Sequence, residues 1–142
     1  MTDPFVDTDV LIRLLTGDDP VKQAQAASLF QLVEQGEQSL LAPDTVIADA
    51  VYVLSSTRLY NLTRAQVVAL LVPLLRLPGF RVENKKAVIK ALEIYSNTKL
   101  DFGDALIVAS MQLSGSKTLF AYDSDFDTVA GIERLTPAAT QP

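Results

Sequence analysis

The segment that decides the fold class is KTLFAYD at residues 117–123, the clearest strand in the sequence, which ends directly on Asp123. A helical pattern over residues 101–112 precedes it and stops before Gly115. Further short strands are predicted at residues 5–6, 39–42, 80–82 and 132–135. This alternation of strands and helices predicts a single three-layer α/β domain, whose mainly parallel central sheet has helices on both faces.

The helices are predicted from apolar spacing, from N-cap residues and from the Pro and Gly residues that stop them. They are expected over residues 10–15, 20–35, 44–60, 64–77, 84–96 and 101–112. The domain is expected to occupy residues 1–136, and residues 137–142 are expected to form a flexible C-terminal tail. The longest apolar run is too short for a membrane span and the N-terminus is acidic, so we expect a cytoplasmic protein without membrane contact.

The composition excludes several classes of site. The sequence has no histidine and no cysteine, which excludes zinc fingers, thiol nucleophiles, Ser-His-Asp triads and HExxH metalloproteases. A net charge of −5 argues against generic electrostatic binding of nucleic acid, although an enzyme can approach a phosphate through a metal ion. The 17 acids include 12 Asp, a poor helix former, which favours caps, turns or ligands over a solvated helix surface.

Two acids directly follow predicted strands. Asp7 comes after Phe5-Val6, and Asp123 comes after the strand quoted above. Ligands of open α/β sheets bind beyond the carboxyl ends of the strands, where both residues are therefore expected to lie. The alternative is that each residue only caps the helix that follows, because Asp is favoured at N-caps.

Two further acids lie on apolar helical patterns. Asp49 shares a helix face with Val46, Ala50 and Val53, and Asp104 has a similar apolar face. An ionised carboxylate on such a face costs several kcal/mol unless a cation or several donors compensate it. The alternative is a helix rotation that brings the acid to water. Together with the strand-end acids, these residues suggest a site for Mg²⁺ or Mn²⁺, which prefer oxygen ligands.

Four motifs in order resemble those of the PIN-domain ribonucleases, in particular the VapC-type toxins. The opening DTDVLI at residues 7–12 looks like DTNVLI, and VIADAVYVL at 46–54 resembles the second motif, an acid inside an apolar helix. The segment DFGDALI at 101–107 is close to DFADALI, and FAYDSDF at 120–126 resembles the TxDxDF motif. The order, spacing and apolar surroundings match over nearly the whole chain.

The resemblance implies an Mg²⁺-dependent endoribonuclease, usually the toxin of a type II toxin–antitoxin system, with an RNA substrate, a small antitoxin partner and a homodimeric state. Asp125 would be a further acid, Thr8 an auxiliary group, and Asp101 a helix cap or a support of the site. Two positions depart from the family pattern: Asp49 replaces the usual Glu, and Asp9 replaces the usual Asn. The Asp9 side chain would either add a ligand or face away from the site. The catalytic and metal-binding residues implied are Asp7, Asp49, Asp104 and Asp123.

Two other interpretations remain open. Residues 7–10 also resemble the DxDxV opening of haloacid-dehalogenase-like phosphatases, in which Asp7 would be the nucleophile and Asp9 the general acid/base. The chain could also be a PIN-like binding module that has lost catalysis through the changes at positions 9 and 49. For an active nuclease, the basic candidates for guiding RNA are Arg13, Arg58 and Lys99, which are near the motifs in sequence.

Overall fold

A computed structural model describes residues 2–138. Met1 and residues 139–142, which include most of the predicted tail, lie outside the described part. The helices are α1 Thr8–Leu15, α2 Pro20–Glu34, α3 Asp44–Ser55, α4 Arg64–Leu75, α5 Lys85–Asn97 and α6 Phe102–Ser114. The strands are β1 Leu40–Ala42, β2 Phe80–Val82, β3 Thr118–Phe120 and β4 Glu133–Leu135, and a 3₁₀ helix spans Ser124–Thr128. The predicted α/β class is confirmed.

The strands pair in parallel. In β1 and β2, Leu40 lies opposite Phe80, and in β3 and β4, Thr118 lies opposite Glu133. The predicted strand at residues 5–6 is reduced to one parallel bridge between Phe5 and Leu41. Within residues 2–138 the ladders therefore form two separate parallel pairs instead of one continuous ladder. Three-residue strands supply few hydrogen bonds, so the packing of helices carries most of the stability of this fold.

Most helix boundaries differ from the predictions by one or two residues, and two of the differences have clear local reasons. The third helix ends at Ser55 instead of residue 60, because residues 56–62 fold back on it: the Leu62 amide donates to the Leu54 carbonyl at 2.9 Å. Asn61 makes this return possible with a left-handed φ of 51°. The first helix begins at Thr8, two residues early, because the Asp7 side chain accepts the Val10 amide and caps it.

The core is built where the apolar faces of the helices meet the short strands. Leu11 of α1, Ile47 of α3, Leu71 of α4 and Leu92 of α5 are all fully buried. The ring of Phe80 in β2 meets Phe30 edge to face, with centroids 5.5 Å apart. Ile47 of α3 and Val108 of α6 are both fully buried in this core, which holds the two helices that carry the predicted helical acids. No helix within residues 2–138 is long and apolar enough to cross a membrane.

Candidate active site

Asp104 lies in the first turn of α6, half-buried beside other carboxyl groups. Burial raises its pKa, and the negative charges of Asp101, Asp123 and Asp125 raise it further. Two chain segments, the start of α6 and the turn after β3, therefore bring four carboxylates within electrostatic reach of one another. We call these residues the Asp104 group.

The members of the Asp104 group are held by local hydrogen bonds. Asp101 caps α6, because its Oδ1 accepts the Asp104 amide at 3.0 Å. Asp123 caps the 3₁₀ helix, because its Oδ1 accepts the Asp125 amide at 2.8 Å. Both residues are therefore caps. Capping was the alternative interpretation of Asp123 and one of the two roles expected for Asp101. Capping uses one carboxylate oxygen of each residue and leaves further acceptor capacity.

The turn that carries Asp123 and Asp125 is fixed by a bidentate ion pair. Arg134 of β4 donates to both carboxylate oxygens of Asp127, at 2.9 and 3.1 Å, and to the Ala121 carbonyl at 3.1 Å. This hydrogen bonding lowers the pKa of Asp127, and it raises the pKa of Arg134, to which the charge of Asp123 also contributes. The pair joins β4 to the turn, so it helps to define the direction of both acids.

Asp7 occupies the predicted strand-end position and is also a cap. Its exposed carboxylate accepts the Val10 amide at 3.2 Å. Thr8 follows, half-buried, at the first position of α1. Asp9 is exposed and pairs with Arg13, one turn later, at 3.5 Å. Asp9 thus has a cation partner on its own helix.

Asp49 differs from the expectation, because the structure places it in water and not on an apolar face. The rotation of α3 is set by its buried residues, and Asp49 lies outside the stripe that they form. Neither Asp49 nor Asp7 is among the charges that raise the pKa of Asp104, which come from the other members of its group. The buried residues of α3 are Val46, Ile47, Ala50, Val51 and Leu54.

The fit of these residues to a divalent cation is mixed. The chemistry of the donor set is appropriate, because hard cations bind carboxylates and Asp104 carries the electrostatic cost of facing other carboxylates. The spacing of these acids is not appropriate, because within residues 2–138 no group of three or more acids is close enough together to hold a metal ion. The predicted four-carboxylate centre is therefore not assembled in this structure.

Sequence reasoning missed Arg64, the first residue of α4. Its guanidinium donates to the carbonyls of Tyr95 at 2.9 Å, of Lys99 at 3.3 Å and of Leu100, and it lies 4.2 Å from the centre of the Tyr95 ring. These contacts fix the connection between α5 and α6, directly before Asp101. Only its place after the Thr63 cap is visible in the sequence, and its partners are 31 to 36 residues away.

The basic residues expected to guide RNA occupy different surroundings. Arg13 is shared by Asp9 and by Asp18, which is 3.6 Å away. Lys99 contributes its backbone carbonyl to Arg64, and Arg58 is exposed in the turn after α3. Of these three candidates, Arg13 is engaged by carboxylates and is therefore the least suited to a phosphate.

The comparison with protein-family models agrees with the motifs. The PIN domain family model matches residues 5–132, which is most of the chain. A solved structure of Mycobacterium tuberculosis VapC20, described as a sarcin-ricin loop cleaving toxin, is similar at 22% identity and a TM-score of 0.40, over 95% of this chain and 100% of that one. A search of curated proteins finds no match. From the extent of the family-model match, we conclude that this chain belongs to the PIN domain family.

Proposed function

We propose that this PIN-domain protein is an endoribonuclease that depends on Mg²⁺, which Mn²⁺ can replace, and that it hydrolyses RNA phosphodiester bonds. The observation that carries the proposal is the PIN domain family match over residues 5–132. The Asp104 group supports it, because the start of α6 and the turn after β3 bring carboxylates near one another there. A group of like charges in one place is unfavourable unless a cation offsets it, and it is typical of functional sites.

In this proposal Asp7, Asp49, Asp104 and Asp123 hold the ion, and Asp125 is a further acid beside them. When bound, the ion supplies positive charge that polarises the phosphodiester and favours ionisation of the attacking water. Because no three acids are near enough to one another at present, the side chains must approach each other for binding. Exposed or half-buried side chains such as those of Asp7 and Asp104 can change rotamer without moving the helices that carry them.

The remaining residues of the site position these ligands. Asp101 holds the first turn of α6 through the Asp104 amide, and Arg64 holds the segment before it through three carbonyls. Arg134 fixes the turn that carries Asp123 through its bidentate pair with Asp127. The negative charge of the site repels RNA, and a bound cation reduces that repulsion.

We further propose that the protein is the toxin of a toxin–antitoxin pair, that a small antitoxin binds it and that it forms a homodimer. The support is the resemblance of its four motifs to those of the VapC-type toxins. Growth of cells that express the wild type, Asp7→Asn or Asp104→Asn tests this proposal. Only the wild type should arrest growth, and equal growth of all three strains would argue against a toxic nuclease.

Neither alternative interpretation is favoured. The family match supports a PIN domain and not a haloacid-dehalogenase-like phosphatase, and Asp9, the acid/base in that scheme, is paired with Arg13. The binding-module interpretation attributes the loss of catalysis in part to Asp9. The Asp9 side chain is exposed on α1 and pairs with Arg13 there, which does not support that role. The binding-module interpretation predicts that RNA stays intact at every metal concentration.

The direct test is RNA cleavage by the purified protein with Mg²⁺, Mn²⁺ or EDTA. We expect cleavage with either metal and none with EDTA, and we expect millimolar Mg²⁺ to raise the melting temperature of the wild type more than that of Asp104→Asn. Glu34→Gln is the matched control, since it removes an exposed carboxylate at the end of α2, outside the site. Intact RNA together with an unchanged melting temperature in both metals would exclude the proposed function.

A further inference from the structure

A cavity of about 380 Å³ lies between α3 and the start of α6. Tyr52 and Ser55 line it from α3, Asp101 and Gly103 from the start of α6, and Arg64 from the start of α4. A cavity of this volume is in the range of small-ligand sites. The hydrolysis proposed above gives it no role, although Asp101 is a member of the Asp104 group.

Tyr52 is the unusual residue of this cavity. It is 72% exposed, whereas its neighbour Val51 is 3% exposed, so an aromatic ring stands in water on the wall of the cavity. It lies one helical turn after Asp49 on α3. Proteins that bind single-stranded RNA use exposed aromatic rings of this kind to stack unpaired bases.

Asp101 adds a polar group with a defined preference. One oxygen of its carboxylate accepts the Asp104 amide, and a carboxylate can accept several hydrogen bonds. Adenine, cytosine and guanine carry amino groups that can donate to it, whereas the single N3–H of uracil lies between two carbonyl oxygens that a carboxylate repels. A carboxylate in the cavity therefore favours the bases that carry an amino group.

We propose that this cavity binds one unpaired base of the RNA substrate, adjacent to the phosphodiester that is cut, with Tyr52 stacked on the base and Asp101 accepting from its amino group. The proposal rests on the proposed ribonuclease function, because it takes the substrate to be RNA. Asp101 caps α6 and lines the cavity, and Asp104 lies one turn later on the same helix. A base in the cavity therefore places its phosphate near the Asp104 group.

The first test measures binding of a short unpaired oligoribonucleotide of mixed sequence by fluorescence anisotropy, with Mg²⁺ and in an Asp104→Asn background that prevents cleavage. Adding Tyr52→Ala should weaken binding by roughly 5- to 150-fold, the effect of losing one stacked base. Tyr52→Phe keeps the ring and should bind within about twofold of the background. Leu113→Ala, which truncates an exposed side chain at the far end of α6, is the control and should change nothing.

A second test locates the base. One abasic nucleotide is moved along the oligonucleotide, and one position should weaken binding by about the factor that Tyr52→Ala does. At that position the two changes should not add, because both remove the same contact. Additive losses at every position would overturn the stacking role of Tyr52.

A third test examines the preference for an amino group. Asp101→Asn keeps an N-cap residue but replaces an acceptor with an amide donor in the cavity. Relative to the background, it should bind uracil at the sensitive position better than cytosine, by roughly fivefold or more. An unchanged preference would remove Asp101 from the proposal.

The outcomes separate this proposal from the proposed function. If the wild type cleaves RNA but Tyr52→Ala binds it equally well, the base site is wrong and the function stands. If the wild type cleaves no RNA while binding depends on Tyr52, the base site stands and the function fails. If the wild type cleaves no RNA and no variant binds it, both proposals are overturned.

Discussion

Two clusters of acids in this protein show opposite electrostatics. In the Asp104 group, carboxylates face one another and the pKa of Asp104 is raised, with burial as the largest cause. In the second cluster, which we call the Arg13 group (Asp9, Arg13, Asp18 and Tyr60), the pKa of Asp18 is lowered, mainly because the Tyr60 hydroxyl donates to it at 2.8 Å. Composition counts these acids alike, and only their partners separate a candidate site from a structural network.

The largest effect that would test this comparison is on activity. Asp104→Asn should lower RNA cleavage at least about a hundredfold, since metal ligation is worth several kcal/mol to such a reaction. Assays at saturating Mg²⁺ with Asp18→Asn as control measure it. Equal losses in the two variants would mean that the two groups do not differ in function.

The same substitution should slightly stabilise the metal-free protein at neutral pH. A raised pKa in the folded state means that the stability due to protonated Asp104 is present below the unfolded pKa and is lost as pH rises through the folded pKa. Asn cannot ionise. Above the folded pKa of Asp104, the free energy of unfolding of Asp104→Asn should therefore exceed that of the wild type, by on the order of 0.5 kcal/mol after solvent screening. Urea denaturation with EDTA at acidic and neutral pH tests this, and a less stable variant at neutral pH would contradict it.

Removal of Arg64 tests the support of the Asp104 group. Arg64→Ala should lower the free energy of unfolding by about 2–4 kcal/mol, because three carbonyls lose a charged donor. Arg76→Ala, at the exposed opposite end of the same helix, should cost less than about 0.5 kcal/mol. Urea denaturation measures both, and similar losses would show that the carbonyl contacts are unimportant.

In the Arg13 group, Tyr60→Phe should slightly lower the free energy of unfolding near neutral pH, because Asp18 loses the hydroxyl that donates to it. The pKa of Asp18 is lowered, so this stabilisation is present above the unfolded pKa of Asp18 and is lost as pH falls through its folded pKa. The wild type and the variant should therefore converge in stability in acid. A difference that is independent of pH would show that the hydroxyl acts through something other than the Asp18 carboxylate.

The smallest effect is expected at Asp9. Asp9→Asn removes an exposed pair between residues one turn apart and should cost less than about 0.5 kcal/mol. RNA cleavage should stay within about twofold of the wild type. A large loss of cleavage would bring Asp9 into the site and weaken the distinction between the two groups.

The structure places the acids predicted from the sequence in different surroundings. Asp7 and Asp123 lie at the expected ends of short strand segments, and each also caps the next helix, so both interpretations of the pattern apply. Asp104 is half-buried as its apolar neighbours indicate, whereas Asp49 is exposed. The spacing around Asp49 allows either helix rotation, and the packing of Ile47 and Val51 into the core selects the one that brings it to water.

The sequence by itself determined the order and type of the elements and the residues that cap them. Capping and apolar periodicity act over three or four residues, so Asp7, Asp101 and Asp123 carry this information locally. Only the tertiary structure decided which carboxylates face one another, and that Asp18 meets Tyr60, 42 residues away, and Arg64 meets Leu100, 36 residues away. Those contacts depend on how the buried faces of separate helices pack, which no local pattern specifies.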